Sequence, residues 1–337
     1  MIRCMLFLLF PLFLSDVLLS QDIHFSQYYN TPLVVNPANT GIFNGDKRLT
    51  AGYRSQWSNV VPWETFYASY DQRFVGKFHP DTASFFSAGL MIYYDRSSAI
   101  ADLALASFNV TGSYTLVLDN SNLITFGALL GPSTRGFDRS SLLWDNQWNE
   151  STFFFDSDID SREAFDSDQV TYFETGLGIN YRWQKSYRNH IDVGAALYHV
   201  LRPGVSYFNV ANTRLERRIT LTAVGQIETS ELFDFQGFAM AEFQGPYREV
   251  VVGGLKKFYL AQTTENHVEI HLGIGHRFEV AWFPILAIQY NSFYGAVSYD
   301  IDATNVEKWK KIAPRTLELH ITYIIANPKW LSRCPVY

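Results

Sequence analysis

Segments of about ten residues in which apolar and polar side chains alternate recur along this chain. In residues 315–325, RTLELHITYII, leucine, isoleucine and tyrosine share one face, while threonine, glutamate and histidine share the other. Residues 170–183, 188–200 and 266–277 alternate in the same way, with the period of a β-strand. A tilted membrane strand needs this length and one apolar face, so the pattern predicts an all-β fold, a transmembrane antiparallel β-barrel.

Fourteen such segments can be delimited, and an even number is typical of a closed bacterial barrel. The weakest prediction is the segment 280–290, because Pro284 cannot donate a hydrogen bond to a neighbouring strand. The predicted strands span residues 48–57, 63–73, 84–94, 103–117, 122–131, 170–183, 188–200, 216–227, 232–243, 248–260, 266–277, 280–290, 293–301 and 315–325.

The lengths of the predicted connections support the barrel. In a barrel, all odd-numbered connections lie on one side of the membrane, and the long connections 132–169, 201–215 and 302–314 are all odd. Short turns such as 119–122 and 291–292 are even. Because bacterial barrels keep short turns and both termini in the periplasm, this parity predicts periplasmic termini and long external loops. In a secreted soluble β-sandwich, the alternative fold, the parity would be accidental.

The start of the chain has the features of a secretory signal peptide. Arg3 precedes an apolar run over residues 5–19, and we expect cleavage between Ser20 and Gln21. Removal of Cys4 leaves Cys334 as the single cysteine, so no internal disulfide is expected. The mature chain contains no apolar run of about 20 residues, the length that a membrane helix requires. The predicted organisation is a signal peptide 1–20, a periplasmic N-terminal segment 21–47, a barrel 48–325 and a periplasmic tail 326–337.

The stretch 21–41, QDIHFSQYYNTPLVVNPANTG, fits neither a strand nor a helix. It lacks a clean alternation, and Pro32 and Pro37 interrupt any helix. The stretch contains more aromatic residues, among them Phe25 and Tyr28, than we expect in an unstructured terminal segment. We therefore predict that the stretch is ordered, either in the periplasmic mouth of the barrel or against a partner.

Several motifs spread over nearly the whole mature length carry a family resemblance. They are the stretch 21–41, YRSQW from Tyr53, YASYDQRF from Tyr67, YHVLRP from Tyr198, LERRITL from Leu215, GAVSYDID from Gly295 and the final RCPVY. With these motifs the chain resembles the PorP/SprF family of the Bacteroidetes, outer-membrane proteins of the type IX secretion system and gliding motility. The motif residues that we single out are Gln21, Asp22, His24, Phe25, Ser26, Gln27, Asn36, Pro37, Gly41, Arg54, Trp57, Arg202, Pro203, Tyr299 and Asp300.

The resemblance implies a non-enzymatic barrel in the outer-membrane lipid. Such a barrel would place or anchor a secreted surface protein, either a large adhesin or another type IX substrate. It could instead couple to periplasmic secretion or motility components. A porin or solute transporter of the outer membrane is the alternative function.

The predicted long loop 131–169 has an unusual composition. It holds nine acidic and three basic residues, which gives it the net charge of −6 of the whole chain. Its acidity argues against a nucleic-acid partner. Aromatic side chains amid these charges predict either a protein-binding surface or a loop that occludes the lumen. These aromatic residues are Trp144, Trp148, Phe153, Phe154, Phe155 and Phe165.

The sequence offers few candidates for a metal-binding or catalytic site. His267, Glu269 and His271 share one strand face, but lumen-facing polar residues explain them as well as a metal does, and no further ligand is indicated. Asp156, Asp158 and Asp160 have the spacing of early EF-hand ligands, but Ser161 and Ser167 occupy the positions that need glycine and glutamate, so only a looser calcium site over 156–168 stays open. The sequence contains no G-x-S-x-G, phosphate-binding loop or dinucleotide fingerprint, and we predict no enzyme activity and no cofactor.

Overall fold

The protein is described by a computed structural model that covers residues 22–58, 61–74, 84–97, 102–156, 158–163, 165–208, 213–262, 266–302 and 315–326. The predicted signal peptide and its cleavage position at Ser20 and Gln21 lie outside the described residues. The tail from residue 327, with Cys334, also lies outside them.

Fourteen strands of the described chain form a closed barrel in which every strand pairs antiparallel with the next, and the last strand pairs with the first. Each of the fourteen predicted segments is one of these strands, so the predicted fold is confirmed. Two short strands, β6 and β7, form a separate hairpin within the connection that follows β5. The strands are β1 Lys47–Gln56, β2 Trp63–Phe74, β3 Phe85–Ser97, β4 Leu103–Val117, β5 Asn122–Gly136, β6 Trp148–Asn149, β7 Phe154–Phe155, β8 Gln169–Ser186, β9 Asn189–Tyr198, β10 Arg218–Glu228, β11 Phe233–Gln244, β12 Tyr247–Gln262, β13 His267–Arg277, β14 Ala281–Tyr290, β15 Phe293–Asp302 and β16 Thr316–Ile325.

The two faces of the strands differ as the alternation predicts. In β16, Leu319 and Ile321 are exposed on the outer face, whereas Glu318 and His320 are buried on the lumen face. An apolar outer band around a polar interior is the arrangement of a membrane barrel.

Pro284 is accommodated within β14. It lies opposite Ile274 of β13, while the pairing of β14 with β15 skips Phe283 and Pro284 and resumes at Ile285. Because proline has no N–H to donate, the interruption falls on the ladder that it cannot complete.

The barrel has two distinct ends. The first, which we call the terminal end, holds the start of β1 and the end of β16, together with the short turns 118–121, 187–188, 229–232 and 291–292. The opposite one, the loop end, holds the connections 137–168 and 199–217. The described connections therefore follow the predicted parity, with the long ones at one end.

The segment before β1 is folded into short turns. Tyr28–Asn30 and Pro37–Asn39 are 3-10 turns, and Pro32–Val35 forms one turn of α-helix, α1. The prediction that this stretch contains no helix is thus wrong by a single turn. Pro32 occupies the first helical position, where its missing N–H would be unsatisfied in any residue.

Apolar side chains of this segment complete the hydrophobic core inside the barrel. Phe25 and Leu33 pack with Tyr67, Met91 and Leu129 of the wall in one buried cluster. Tyr28 and Val35 belong to a second cluster, which includes Phe238, Val251, Leu255 and Phe283. The core of this molecule therefore lies in the lumen, and the N-terminal segment is part of it.

Candidate functional site: a plugged lumen and its loop end

Residues 22–46, which we call the plug, run through the lumen from one end of the barrel to the other. Asp22 lies among loop-end residues, whereas at the terminal end the backbone N–H of Asp46 donates to the carbonyl oxygen of Ile325 over 2.8 Å. The segment is folded against the wall, but it is not confined to the mouth beside β16. Asp22 and Ile325 therefore lie at opposite ends of the barrel.

A buried group of charges near the loop end holds the backbone of the plug. The Ser26 hydroxyl donates to Asp300 over 2.9 Å and accepts from Arg277 over 2.8 Å. The backbone N–H of Ser26 donates to Glu318, which also pairs with Arg54. All five side chains are less than a tenth exposed. The charges of the wall thus pair with one another and with the plug.

A second group, which we call the clasp, surrounds the first described residue. The Asp22 carboxylate pairs with His199, lies 3.3 Å from a guanidinium nitrogen of Arg135 and 3.6 Å from one of Arg218. On its other side, His199 Nδ1 lies 2.9 Å from a carboxylate oxygen of Glu174. Burial alone would lower the pKa of His199, but the two carboxylates outweigh it and raise the pKa to about 9. The imidazole is therefore a cation at neutral pH.

A row of glycines receives the turn at the middle of the plug. Gly127 of β5 lies opposite Gly178 of β8 in the sheet register, and Gly194 of β9 lies nearby. A Cβ atom on Gly178 would lie 2.0 Å from Asn36 Oδ1, and one on Gly127 would lie 2.4 Å from the backbone nitrogen of Ala38. Such distances are far inside van der Waals contact, so the plug approaches the wall this closely only because these positions lack side chains.

Asn36 fixes that turn through its side chain. Its Oδ1 accepts from the backbone N–H of Ala38 over 2.9 Å, and its Nδ2 donates to the carbonyl oxygen of Ile179 over 2.9 Å. The same amide therefore caps the turn at Pro37 and ties it to β8.

Beside the plug, toward the terminal end, the lumen retains a cavity of about 300 Å³. Its lining includes Tyr29, Lys257, Glu269 and His271. Lys257 Nζ donates to Gln226 over 2.7 Å. The lumen is thus filled toward the loop end and hollow toward the terminal end.

The strand-face cluster considered as a metal site is a hydrogen-bonded triplet in the structure. Glu269 pairs through one oxygen with His267, and its other oxygen lies 2.6 Å from His271 Nε2. In the acidic loop, the carboxylates of Asp156 and Asp160 each accept from a backbone N–H two residues further on. Within the described ranges, no group of three histidine, cysteine or acidic side chains is arranged to hold a metal ion.

The aromatic residues of the loop 137–168 fall into two sets. Trp144 and Phe165 belong to the inner set, where Phe165 stacks on Phe208 at 4.5 Å and meets Phe137 edge-on at 5.1 Å. Phe137 also packs against Tyr207. This cluster joins the loop 137–168 to the loop 199–217.

The outer set forms the short hairpin of β6 and β7, which we call the aromatic hairpin. Trp148 and Phe155 pack edge-on at 5.1 Å, while Phe153 and Phe154 are 73% and 74% exposed. The sequence left open whether this loop occludes the lumen or faces a partner. Among the described residues, the plug fills the loop-end part of the lumen, and the side chains of Phe153 and Phe154 in the hairpin are exposed.

The structure brings together several of the motif residues predicted from the sequence. Arg54 and Asp300 meet Ser26, and Arg54 also donates to the carbonyl oxygen of His24 over 3.1 Å. Gln27 Nε2 donates to Ser298 over 2.9 Å. As described above, the clasp contains Asp22 and the core contains Phe25. The turn at the glycine row contains Asn36 and Pro37.

Gly41 lies at the terminal end of the plug, where the backbone conformation and the close packing both require glycine. Its φ of +77° lies in the left-handed region that favours glycine, and its N–H donates to Asp71 over 2.7 Å. A Cβ there would lie 2.0 Å from the hydroxyl of Ser87.

Four motif residues lie elsewhere. Trp57 is exposed just after β1, and Tyr299 is exposed on the outer face of β15. Arg202 pairs with Glu216 across the loop 199–217, and the carbonyl oxygen of Pro203 accepts from Leu215. Gln21 lies outside the described residues.

Sequence reasoning missed the residues of the wall that receive the plug. Glu318, Arg277 and His199 were assigned only to the polar face or to a motif. The glycines of the row carried a signal, because glycine inside a strand often marks the close approach of another backbone.

The fold and this interior define the class of protein: a 14-stranded outer-membrane barrel whose lumen is occupied by its own N-terminal segment. A family model described as the type IX secretion system membrane protein PorP/SprF matches residues 17–323. The chain therefore belongs to the PorP/SprF family, and it is an outer-membrane protein of the type IX secretion system. None of the curated proteins compared with it matches significantly.

Solved structures of outer-membrane barrels are similar in fold. A FadL homologue from Pseudomonas aeruginosa has a TM-score of 0.51 and 10% identity, over 86% of this chain and 92% of that chain. The deltaS2S3 mutant of the monoaromatic hydrocarbon channel TodX has a TM-score of 0.50 and 9% identity, over 87% and 94%. At such identities the likeness shows the fold alone.

The helices of the described residues are all too short or too polar to cross a membrane.

Proposed function

We propose that this protein is a non-enzymatic barrel that binds a secreted surface protein at its loop end and holds it there. The observation that carries the proposal is the closed lumen. Plug side chains such as Phe25 and Leu33 are at most 2% exposed, and the plug backbone is bonded to buried charges of the wall. A lumen filled in this way supports binding at a surface better than it supports steady passage of a solute.

The aromatic hairpin is the surface that fits such a partner. Phe153 and Phe154 are presented together at the loop end, and the surrounding loop is strongly acidic. Exposed aromatic side chains are enriched at the centres of protein interfaces. Family membership supports a type IX substrate, such as a large adhesin, as the partner. Coupling of the opposite end to periplasmic secretion or motility components is compatible with the same arrangement.

The test compares the double variant Phe153→Ser, Phe154→Ser with Leu201→Ser. Leu201 is 69% exposed in the other loop of the same end, so its variant also replaces an exposed apolar side chain there by serine. The protein is purified in detergent from the native host, and the secreted proteins that accompany it are identified and quantified. We expect a secreted surface protein to accompany the wild type and the Leu201 variant. The hairpin variant should lose at least 90% of it, because two interface aromatics contribute about 2 kcal/mol or more.

The same preparations are measured in planar bilayers. We expect no steady conductance in the wild type, because the plug closes the lumen. A large and steady conductance without an accompanying secreted protein would favour the porin or solute transporter instead. Equal recovery of the secreted protein with both variants would remove the aromatic hairpin from the proposal.

A further inference from the structure

The direction of the plug places Asp22, which follows the expected cleavage position by one residue, at the loop end of the barrel. Asp22 is the first described residue, and its contacts lie at the loop end: Arg135 near the end of β5, His199 just after β9, and Arg218 at the start of β10. The backbone N–H of Asp22 donates to Gln244, the last residue of β11, over 3.2 Å. Four separate strand ends therefore locate this residue.

The clasp around Asp22 is a built site. The side chains of His199 and Arg218 are 3% and 5% exposed, and that of Asp22 is 9% exposed. The guanidinium of Arg218 also lies over the ring of Tyr198, 4.2 Å from its centroid. The Glu174 carboxylate orients His199: one oxygen lies beside the ring nitrogen Nδ1 of His199, and the other accepts a hydrogen bond from the His199 backbone N–H. Three cationic groups thus converge on one buried carboxylate, with aromatic and acidic side chains holding them in place.

We infer that Arg135, His199 and Arg218 form a carboxylate-binding site that takes Asp22 and thereby holds the start of the mature chain at the loop-end surface. The ligand class is a carboxylate on a chain that leaves the lumen there. Through this site Asp22 lies at the same end of the barrel as the aromatic hairpin, and the C-terminal side of β16 lies at the other end. The inference does not depend on a secreted partner, so it stands or falls separately from the proposed function.

The first experiment compares the accessibility of epitope tags in intact and permeabilised cells. One tag is inserted between Gln21 and Asp22, a second after Glu150 in the loop 137–168, and a third after Tyr337. We expect the N-terminal tag to behave as the loop tag does, and the C-terminal tag to show the opposite accessibility. The inference would be overturned if the N-terminal tag had the same accessibility as the C-terminal tag, whichever end of the barrel faces outward.

The second experiment tests the clasp itself by thiol labelling of the purified protein. Ile23, next to the clasp, is 7% exposed, and Ile23→Cys in a Cys334→Ser background reports whether the start of the plug is released. With Asp22→Asn and with His199→Gln we expect labelling to accelerate at least tenfold. Asp22→Glu keeps the carboxylate and should stay within threefold of the parent protein.

The matched control is Arg202→Gln, which removes an ion pair with Glu216 at the same end without touching the plug. It should label at the parental rate. The shift between unheated and heated protein in gel electrophoresis confirms in each case that the barrel has folded. Labelling of the Asp22→Asn and His199→Gln proteins at the rate of the Arg202→Gln protein would refute the carboxylate site.

Discussion

The glycine row gives the sharpest test of how the plug is held. In Gly178→Ala, the new Cβ would lie 2.0 Å from Asn36 Oδ1 and 3.1 Å from the backbone nitrogen of Ala38. The backbone of β8 cannot retreat, because it is paired on both sides with β5 and β9. The Asn36 side chain must therefore move, and the substitution acts directly on the plug.

The cost follows from the hydrogen bonds that Asn36 loses. Its amide donates to Ile179 and accepts from Ala38, and the side chain is 1% exposed. A buried polar group left without a partner costs about 1–3 kcal/mol. For two such bonds we expect about 3 kcal/mol against the docked plug, which is roughly a hundredfold in the population of the released state.

The assay is thiol labelling of Val35→Cys in a Cys334→Ser background. Val35 precedes Asn36 and is 6% exposed, so its reactivity measures release of this turn. Gly112→Ala is the control, since a Cβ on Gly112 would have no neighbour within 4 Å. We expect labelling with Gly178→Ala to be roughly a hundred times faster than with Gly112→Ala. Equal rates in the two proteins would refute the close packing of the plug on β8.

Two further predictions concern the buried charges. The pKa of His199 is raised above its ordinary value, so its contribution to holding Asp22 is complete below about pH 6.5 and is lost as the pH rises through about 9. The labelling rate of Ile23→Cys, divided at each pH by that of the same protein unfolded in denaturant to remove the effect of thiol ionisation, should rise between pH 8 and pH 10. In His199→Gln this ratio should stay constant. Glu318→Gln leaves the Arg54 guanidinium without its closest carboxylate, and removal of one partner of a buried pair costs about 3–5 kcal/mol. The temperature at which the barrel unfolds, measured by the shift in gel mobility, should therefore fall. An unchanged temperature would show that water hydrates the site.

The fourteen strands could be predicted because lipid imposes one requirement on every outward position. Leu319 and Ile321 are apolar for this reason, and their alternation with Glu318 and His320 is visible without any knowledge of contacts. The weak segment around Pro284 was also identified correctly, because its neighbours keep the period of two.

The path of the plug could not be predicted, since its contacts join residues that are distant along the chain. Ser26 and Asp300 are 274 positions apart, and nothing in either motif says that they meet. Inward-facing charges such as Arg277 are compatible with a watery lumen as well as with a filled one. The aromatic residues of the stretch 21–41 indicated an ordered segment, and the glycines at positions 127 and 178 were a further signal of a second backbone inside the barrel.

A barrel of fourteen strands leaves room for a plug, and the contacts that retain the plug can be ranked. Eight strands enclose a space that wall side chains can fill, and fourteen enclose more, so the interior must hold either water or additional chain. Ion pairs such as Arg54 with Glu318 add little net free energy, because their charges would be hydrated if the plug left. Burial of Phe25 and Leu33 supplies roughly 2 kcal/mol each and has no such compensation. Apolar packing therefore retains the plug, while the charges and the glycine row fix its register and direction.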